Sequence, residues 1–288
     1  MDCRFGLATA LACLAPTACA GPQLVRAEGY CAPPSGALVT IPSEPAKPSA
    51  SYAERIAALL GASPAFEERP RTESGRLLAL ERIELARLAI AATGAELECE
   101  QDRAEQAAEA LQRVKDNQAQ ALTIGSIGVA AMTSVASALL ATRNASAAAQ
   151  DSVAIGGGVV TAGLALGSLY VHPTVPLQTP RNLLAPLWIG PEPPQVYPTI
   201  VWTYLTRPEF SNDRQRSIRE HLVDRWRRET GLGEDAGLAR LLFGSGGDYD
   251  IDALRARVEL LGEVEAEVHL ESQDLASFAA AMFAEPGT

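Results

Sequence analysis

From Asn117 to Thr142 the chain carries no charged side chain, and after the short linker "RNASAAAQD" it carries none again from Ser152 to Val171. Each run is long enough to cross ~30 Å of hydrocarbon. A linker that short makes the two runs antiparallel neighbours, so a helical hairpin is predicted over 122–171. Such a hairpin must be covered by lipid, by a partner or by the rest of the chain. The first run is spaced with small residues at Ser126, Ala130, Ser134 and Ala138. The second pairs Gly158 with Ala162 and Gly163 with Gly167. Small residues four apart let helix backbones approach closely, so these eight define a predicted helix-packing or oligomer face. Their Ser and Thr content also lowers the drive into lipid. Insertion and packing therefore both stand at this point.

The residues leading into the hairpin argue for one long helix. No proline occurs between Glu73 and Ala121, and Ile83, Ile90, Leu97, Ala104 and Leu111 recur every seven residues, with Ala107, Val114 and Ala121 as a second series. Heptad spacing of this kind packs along its length on other helices. Gly94 is the expected weak point. "SYAERIAALLGA" forms a short helix before it, capped by Ser51. The charged stretch "ELECEQDRAEQ" reads as a mostly solvated face around Cys99; a metal site of Glu98, Asp102 and Glu105 is weighed there and set aside.

The ends of the chain point to export. Arg4, the apolar run "FGLATALACLA" and the small residues Ala18-Cys19-Ala20 form a secretory signal over 1–20. Cys19 is the candidate for lipidation, with ordinary cleavage after Ala20 as the rival. Cys31 and Cys99 remain in an oxidising compartment and form the candidate disulfide, closing a loop of roughly seventy residues worth ~4 kcal/mol. Residues 21–50, rich in Pro, Ser and Ala, are expected to form an extended tether.

Together with the hairpin, this region resembles the glycine-zipper, two-segment hairpins of small bacterial envelope lipoproteins. The resemblance covers 122–171 and the signal only. It implies an envelope location, in the periplasm or at the outer membrane, and no enzymatic activity. It assigns no role to any residue.

Prolines crowd 172–210, among them Pro173, Pro176, Pro180, Pro186 and Pro198, so an extended strap with short helical turns is expected. Its aromatics Trp188, Tyr197, Trp202 and Tyr204 pin it to the helical body or form a belt at a membrane interface. Over 211–288 helices return, the first capped by Ser211, the last started by Asp250 or Asp252 and running to about Ala284. Leu254, Val258, Leu261, Val264, Val268, Leu275 and Phe278 hold its helical spacing. No convincing strand run appears, and the class is all-α: a long heptad-patterned helix running into a hairpin, a strap and C-terminal helices, with 51–121 as the first helical block.

No catalytic constellation stands out. His172, His221 and His269 lie far apart without paired ligand spacing, and "IGGGVV" and "FGSGGD" lack the Lys of a phosphate cradle. No metal or cofactor is expected. Net charge is −11, which argues against a nucleic-acid partner. One pattern is unusual: Glu259, Glu263, Glu267 and Glu271 fall four apart and form an acidic ridge whose members repel. The arginines of the preceding helix, Arg214 to Arg228, are the expected counter-charges. The function predicted is that of an exported, non-enzymatic envelope structural or interaction protein, using the hairpin for oligomerisation or docking onto a partner. The alternative is a membrane-inserting hairpin, as in a channel former or membrane perturber.

Overall fold

The heptad series resolves into one helix of 70 residues. In the computed structural model, residues 31–32, 40–45, 47, 49–63, 73–142, 172–190, 195–229 and 232–283 are described. In chain order the elements are α1 (Tyr52–Leu59), α2 (Glu73–Thr142), β1 (Val175–Gln178), α3 (Leu184–Ile189), α4 (Thr199–Thr206), α5 (Ile218–Glu229), α6 (Ala236–Phe243), β2 (Gly246–Tyr249) and α7 (Ile251–Phe283). The protein is all-α apart from one small sheet. The signal region, most of the tether and the hairpin's second arm with Gly158, Ala162, Gly163 and Gly167 lie outside the described residues, as does Cys19.

α7 packs antiparallel along the first half of α2. The guanidinium of Arg76 sits over the Phe283 ring, Gly94 faces His269, Gly262 faces Gln101, and Arg257 reaches Glu100. Ile90, Leu97, Ala104, Ala107 and Leu111 are buried in this seam against Leu254, Leu261, Val264 and Val268. Seven-residue spacing keeps one stripe facing the partner over many turns, which is why so long a helix needs only one long neighbour. Gly94 does not break α2. A Cβ there would meet the His269 ring at 3.6 Å, an ordinary contact. Gly94→Ala is therefore expected to stabilise the protein by about 0.5–1 kcal/mol, read as a raised denaturation midpoint.

The shorter elements lie around this pair, and local chemistry sets their ends. Ser51 and Glu54 form a reciprocal capping box on α1. Ile41 is buried against the core and the Glu44 amide donates to the Ala58 carbonyl, so the part of the tether that is described is docked. α5 begins at Ile218, not after Ser211. Ser217 and Glu220 make the capping box there, while Ser211 donates its hydroxyl to Asp213 in the preceding turn. Asp250 caps α7 by accepting from the Ala253 amide at 2.8 Å.

The Pro-rich segment departs most from expectation. It contains a strand: β1 pairs antiparallel with β2, with Val175 opposite Tyr249 and Gln178 opposite Gly246. Pro176 is tolerated because an edge strand leaves one side of its backbone unpaired. Gly246 adopts φ 109°, and a Cβ there would meet the Leu177 carbonyl oxygen at 2.2 Å. Tyr197, Trp202 and Tyr204 are buried. Trp188 stacks on Phe243 with ring centroids 4.4 Å apart. These aromatics hold the strap to the body.

Candidate functional site: the apolar arm

α2 outruns its partner. Leu111 is its last buried residue among those described, and beyond the charged stretch ending at Asp116 an uncharged arm, Asn117–Thr142, extends ~39 Å at 1.5 Å per residue. Along this arm Ile124 and Val135 stand open, Ile127 is 64% exposed and Met132 is 74% exposed. At about 100° per residue, Ile124, Ile127 and Val135 share one side, Met132 lies next to them, and Leu122 and Val129 fall opposite. Thr123, Ser126, Thr133 and Ser134 gather on a third side, so the arm has a hydroxyl face but no charged one. Exposed apolar surface of this extent marks a face that meets protein or lipid.

The polar groups on the arm are hydroxyls, and they are used internally. Thr123 donates to the Ala119 carbonyl at 2.9 Å, Ser126 to Thr123 at 2.8 Å, Thr133 to Val129 at 2.8 Å and Ser134 to Ala130 at 2.9 Å. Each hydroxyl thus brings its own acceptor, which lowers its cost in an apolar medium. Ser126 is half-buried, whereas Ala130, Ser134 and Ala138 are exposed.

The chain leaves the body and re-enters it at the same end. Arg103 on α2 donates to the Gln178 carbonyl at 2.5 Å, and Arg181 pairs with Glu96 at 2.6 Å. Going backwards from Arg181 to Gln178 therefore climbs α2 from residue 96 to residue 103, towards the root of the arm.

Cys31 and Cys99 are joined by a disulfide, with Cα atoms 5.5 Å apart. The charges around Cys99 are less solvated than expected. Glu96, Glu100 and Arg103 are buried, while Glu98, Asp102 and Glu105 are exposed. Glu100 accepts from Arg103 at 3.0 Å and lies 3.7 Å from Arg257, which is 0% exposed. Burial pushes the Arg257 guanidinium down. A further hydrogen bond runs from Arg257 to the Leu242 carbonyl, so this trio clamps α2, α7 and the end of α6 together.

The acidic ridge does not keep one environment along α7. Glu259 is exposed. Glu263 accepts from the Trp226 indole at 2.8 Å and lies 3.7 Å from Arg225. Of the six arginines expected to oppose the ridge, Arg225 alone makes such a pair among the described residues. Arg216 and Arg228 turn to Asp224, and Arg227 covers Trp188. Burial raises Glu267. Glu271 is 2% exposed, neither carboxylate oxygen has a hydrogen-bond partner, and burial and then Asp274 push it well above the carboxylate range. The folded state therefore keeps a proton that the unfolded chain releases above about pH 4.3. Stability should fall as pH rises from that value, by up to about 1.4 kcal/mol per pH unit, until the folded group ionises. Glu271→Gln is expected to remove this decline. Denaturant midpoints at several pH values check it, and parallel profiles for the two proteins would refute it.

His172 is exposed. His221 lies 3.0 Å from Asp213, and His269 packs against Gly94, so the structure does not bring the three histidines together. No protein family, curated protein or solved structure matches this chain. The molecule is thus defined by its own geometry: an all-α body carrying a long, uncharged helical arm.

Proposed function

We propose that the protein is an exported, non-enzymatic structural or interaction protein of the bacterial envelope, held at a membrane by its apolar arm. The observation that carries this reading is the arm itself: uncharged, with exposed Ile124, Ile127, Met132 and Val135, and with its hydroxyls bonded to its own carbonyls. The common exit and return point supports two antiparallel passes, the second being the uncharged run 152–171. The Cys31–Cys99 disulfide fits an oxidising compartment.

A lipid on Cys19 is compatible with the same membrane. Cys99 lies ~27 Å along α2 from Asn117. The twelve residues from Cys19 to Cys31 span up to ~40 Å when extended. Anchor and arm therefore reach one surface, and two attachments hold a protein far more firmly than one chain alone.

A second reading has its own support. Ser126, Ala130, Ser134 and Ala138 offer a line for close helix packing, which would serve a neighbouring copy. Extraction separates the two. With Cys19→Ala, the mature protein should stay with membranes through alkaline carbonate and require detergent for release. Two arginines, at Ile127 and Met132, should free it, since each costs about 2.5–3.5 kcal/mol at the centre of a span. Recovery of the Cys19→Ala protein as a soluble oligomer would favour packing between copies and overturn insertion.

A further inference from the structure

A polar cavity of about 510 Å³ opens between α1, the turn 210–214, α5 and the stretch of α7 from Glu267 to Asp274. Three guanidiniums line it: Arg225, which pairs with Glu263 at 3.7 Å, and Arg55 and Arg214. Arg55 is 5% exposed; its Nη1 donates to the Ala50 carbonyl at 3.0 Å, while its Nε is buried without an acceptor. The Arg55 guanidinium also sits 5.0 Å from the Tyr52 ring centroid. Arg214 has φ 54°, the left-handed region that long side chains rarely occupy and that tends to be kept at functional sites. Its turn is held by Asp213, whose carboxylate accepts from the Gln215 and Arg216 amides at 2.9 and 3.1 Å and is held down to about 2 by them.

Neither Arg55 nor Arg214 has a carboxylate within ion-pair distance among the described residues. The acids of the cavity are engaged elsewhere. Asp213 serves its turn and His221, and Asp274 accepts from Tyr204 at 2.7 Å. Glu267, half-buried, is shifted towards its neutral form. After burial, the charge of Arg214 is the strongest influence lowering Arg55. Two unpaired cations lining one cavity, one of them nearly buried and under-bonded, form the arrangement that an oxyanion completes by bidentate hydrogen bonds.

We infer that this cavity binds a small soluble solute through a carboxylate or phosphate group placed between Arg55 and Arg214. A membrane headgroup is a poor fit, because Asp274 lies over 20 Å along α7 from Glu259, which faces the root of the arm. The reading does not depend on how the arm is covered.

The test uses the full mature protein, with inorganic phosphate and succinate as probes in calorimetry and thermal melting. At least one probe should bind saturably, and affinity should fall tenfold or more in Arg55→Gln and in Arg214→Gly. Arg214→Gly guards against simple misfolding, because glycine suits φ 54°. Its melting temperature should hold or rise while binding is lost. Arg240→Gln, on an exposed side chain elsewhere, should bind as the parent does. Absence of saturable binding to both probes, or equal binding by Arg214→Gly and the parent, would overturn the inference.

Discussion

Glu100→Ala is expected to destabilise the protein by about 3–5 kcal/mol. It would leave Arg103 and Arg257 facing each other in the core with no counter-charge. Arg103 is buried and Arg257 is inaccessible, so neither can turn to water. Glu100 is the only carboxylate paired with either among the described residues. The loss is one of compensation, not of intrinsic attraction. The triple change Glu100→Leu, Arg103→Met, Arg257→Met removes all the charges together. It should therefore recover most of that loss, because a buried ion cluster repays its desolvation poorly. Urea midpoints of the parent, the single and the triple variant check this. A triple variant as unstable as Glu100→Ala would show that the cluster contributes through shape, not charge.

This cluster shows what could be read from residue order and what could not. The seven-residue spacing was plain, and it yields both the length of α2 and the stripe that meets α7. Extended backwards, the series Ala107, Val114, Ala121 runs through Glu100 and Thr93, and both are buried. A charge at an interface position of the heptad was thus visible, yet it reads as part of a solvated face because its neighbours Glu98 and Asp102 are exposed. The same holds on α7. The apolar spacing breaks between Val268 and Leu275, and the residue filling the gap is Glu271. The acidic ridge and the apolar stripe share that position. Only packing against neighbouring elements decides which pattern governs.

Other features had no local signal. β1 and β2 are four residues each, far apart in the chain, and "GGDY" lacks alternation or β-branched residues. Strands this short exist only through tertiary pairing. The start of α5 was legible: Ser217 and Glu220 stand in the spacing of a capping box, which outranks a lone Ser211. The Arg55–Arg214 cavity joins residues over 150 positions apart, and the left-handed Arg214 is invisible in sequence. The arm is the reverse case. Its apolarity is entirely legible, and the structure adds that no described side chain there is buried and that β1 lies against α2 at Arg103.

Breaking the Cys31–Cys99 bond, by Cys99→Ser or by reductant, is expected to cost about 4 kcal/mol, because the bond closes a loop with a sequence separation of 68. Most of that arises in the unfolded chain, whose freedom the cross-link restricts. Cys31→Ser should cost as much as Cys99→Ser, and the double variant no more than either, since both remove one and the same constraint. Reductant should destabilise the parent and leave the variants unchanged. Additive losses would mean that the two sulfurs stabilise the fold separately. The bond also fixes the end of the tether to α2, ~27 Å from the root of the arm. In the reduced protein the tether is longer by every residue between Cys31 and the docked Ile41. An acyl chain on Cys19 would then hold the body at a less defined height. If the protein is anchored as proposed, a reporter on α7, such as a fluorophore at Glu259, should show a broader distribution of distances to the membrane in Cys99→Ser than in the parent.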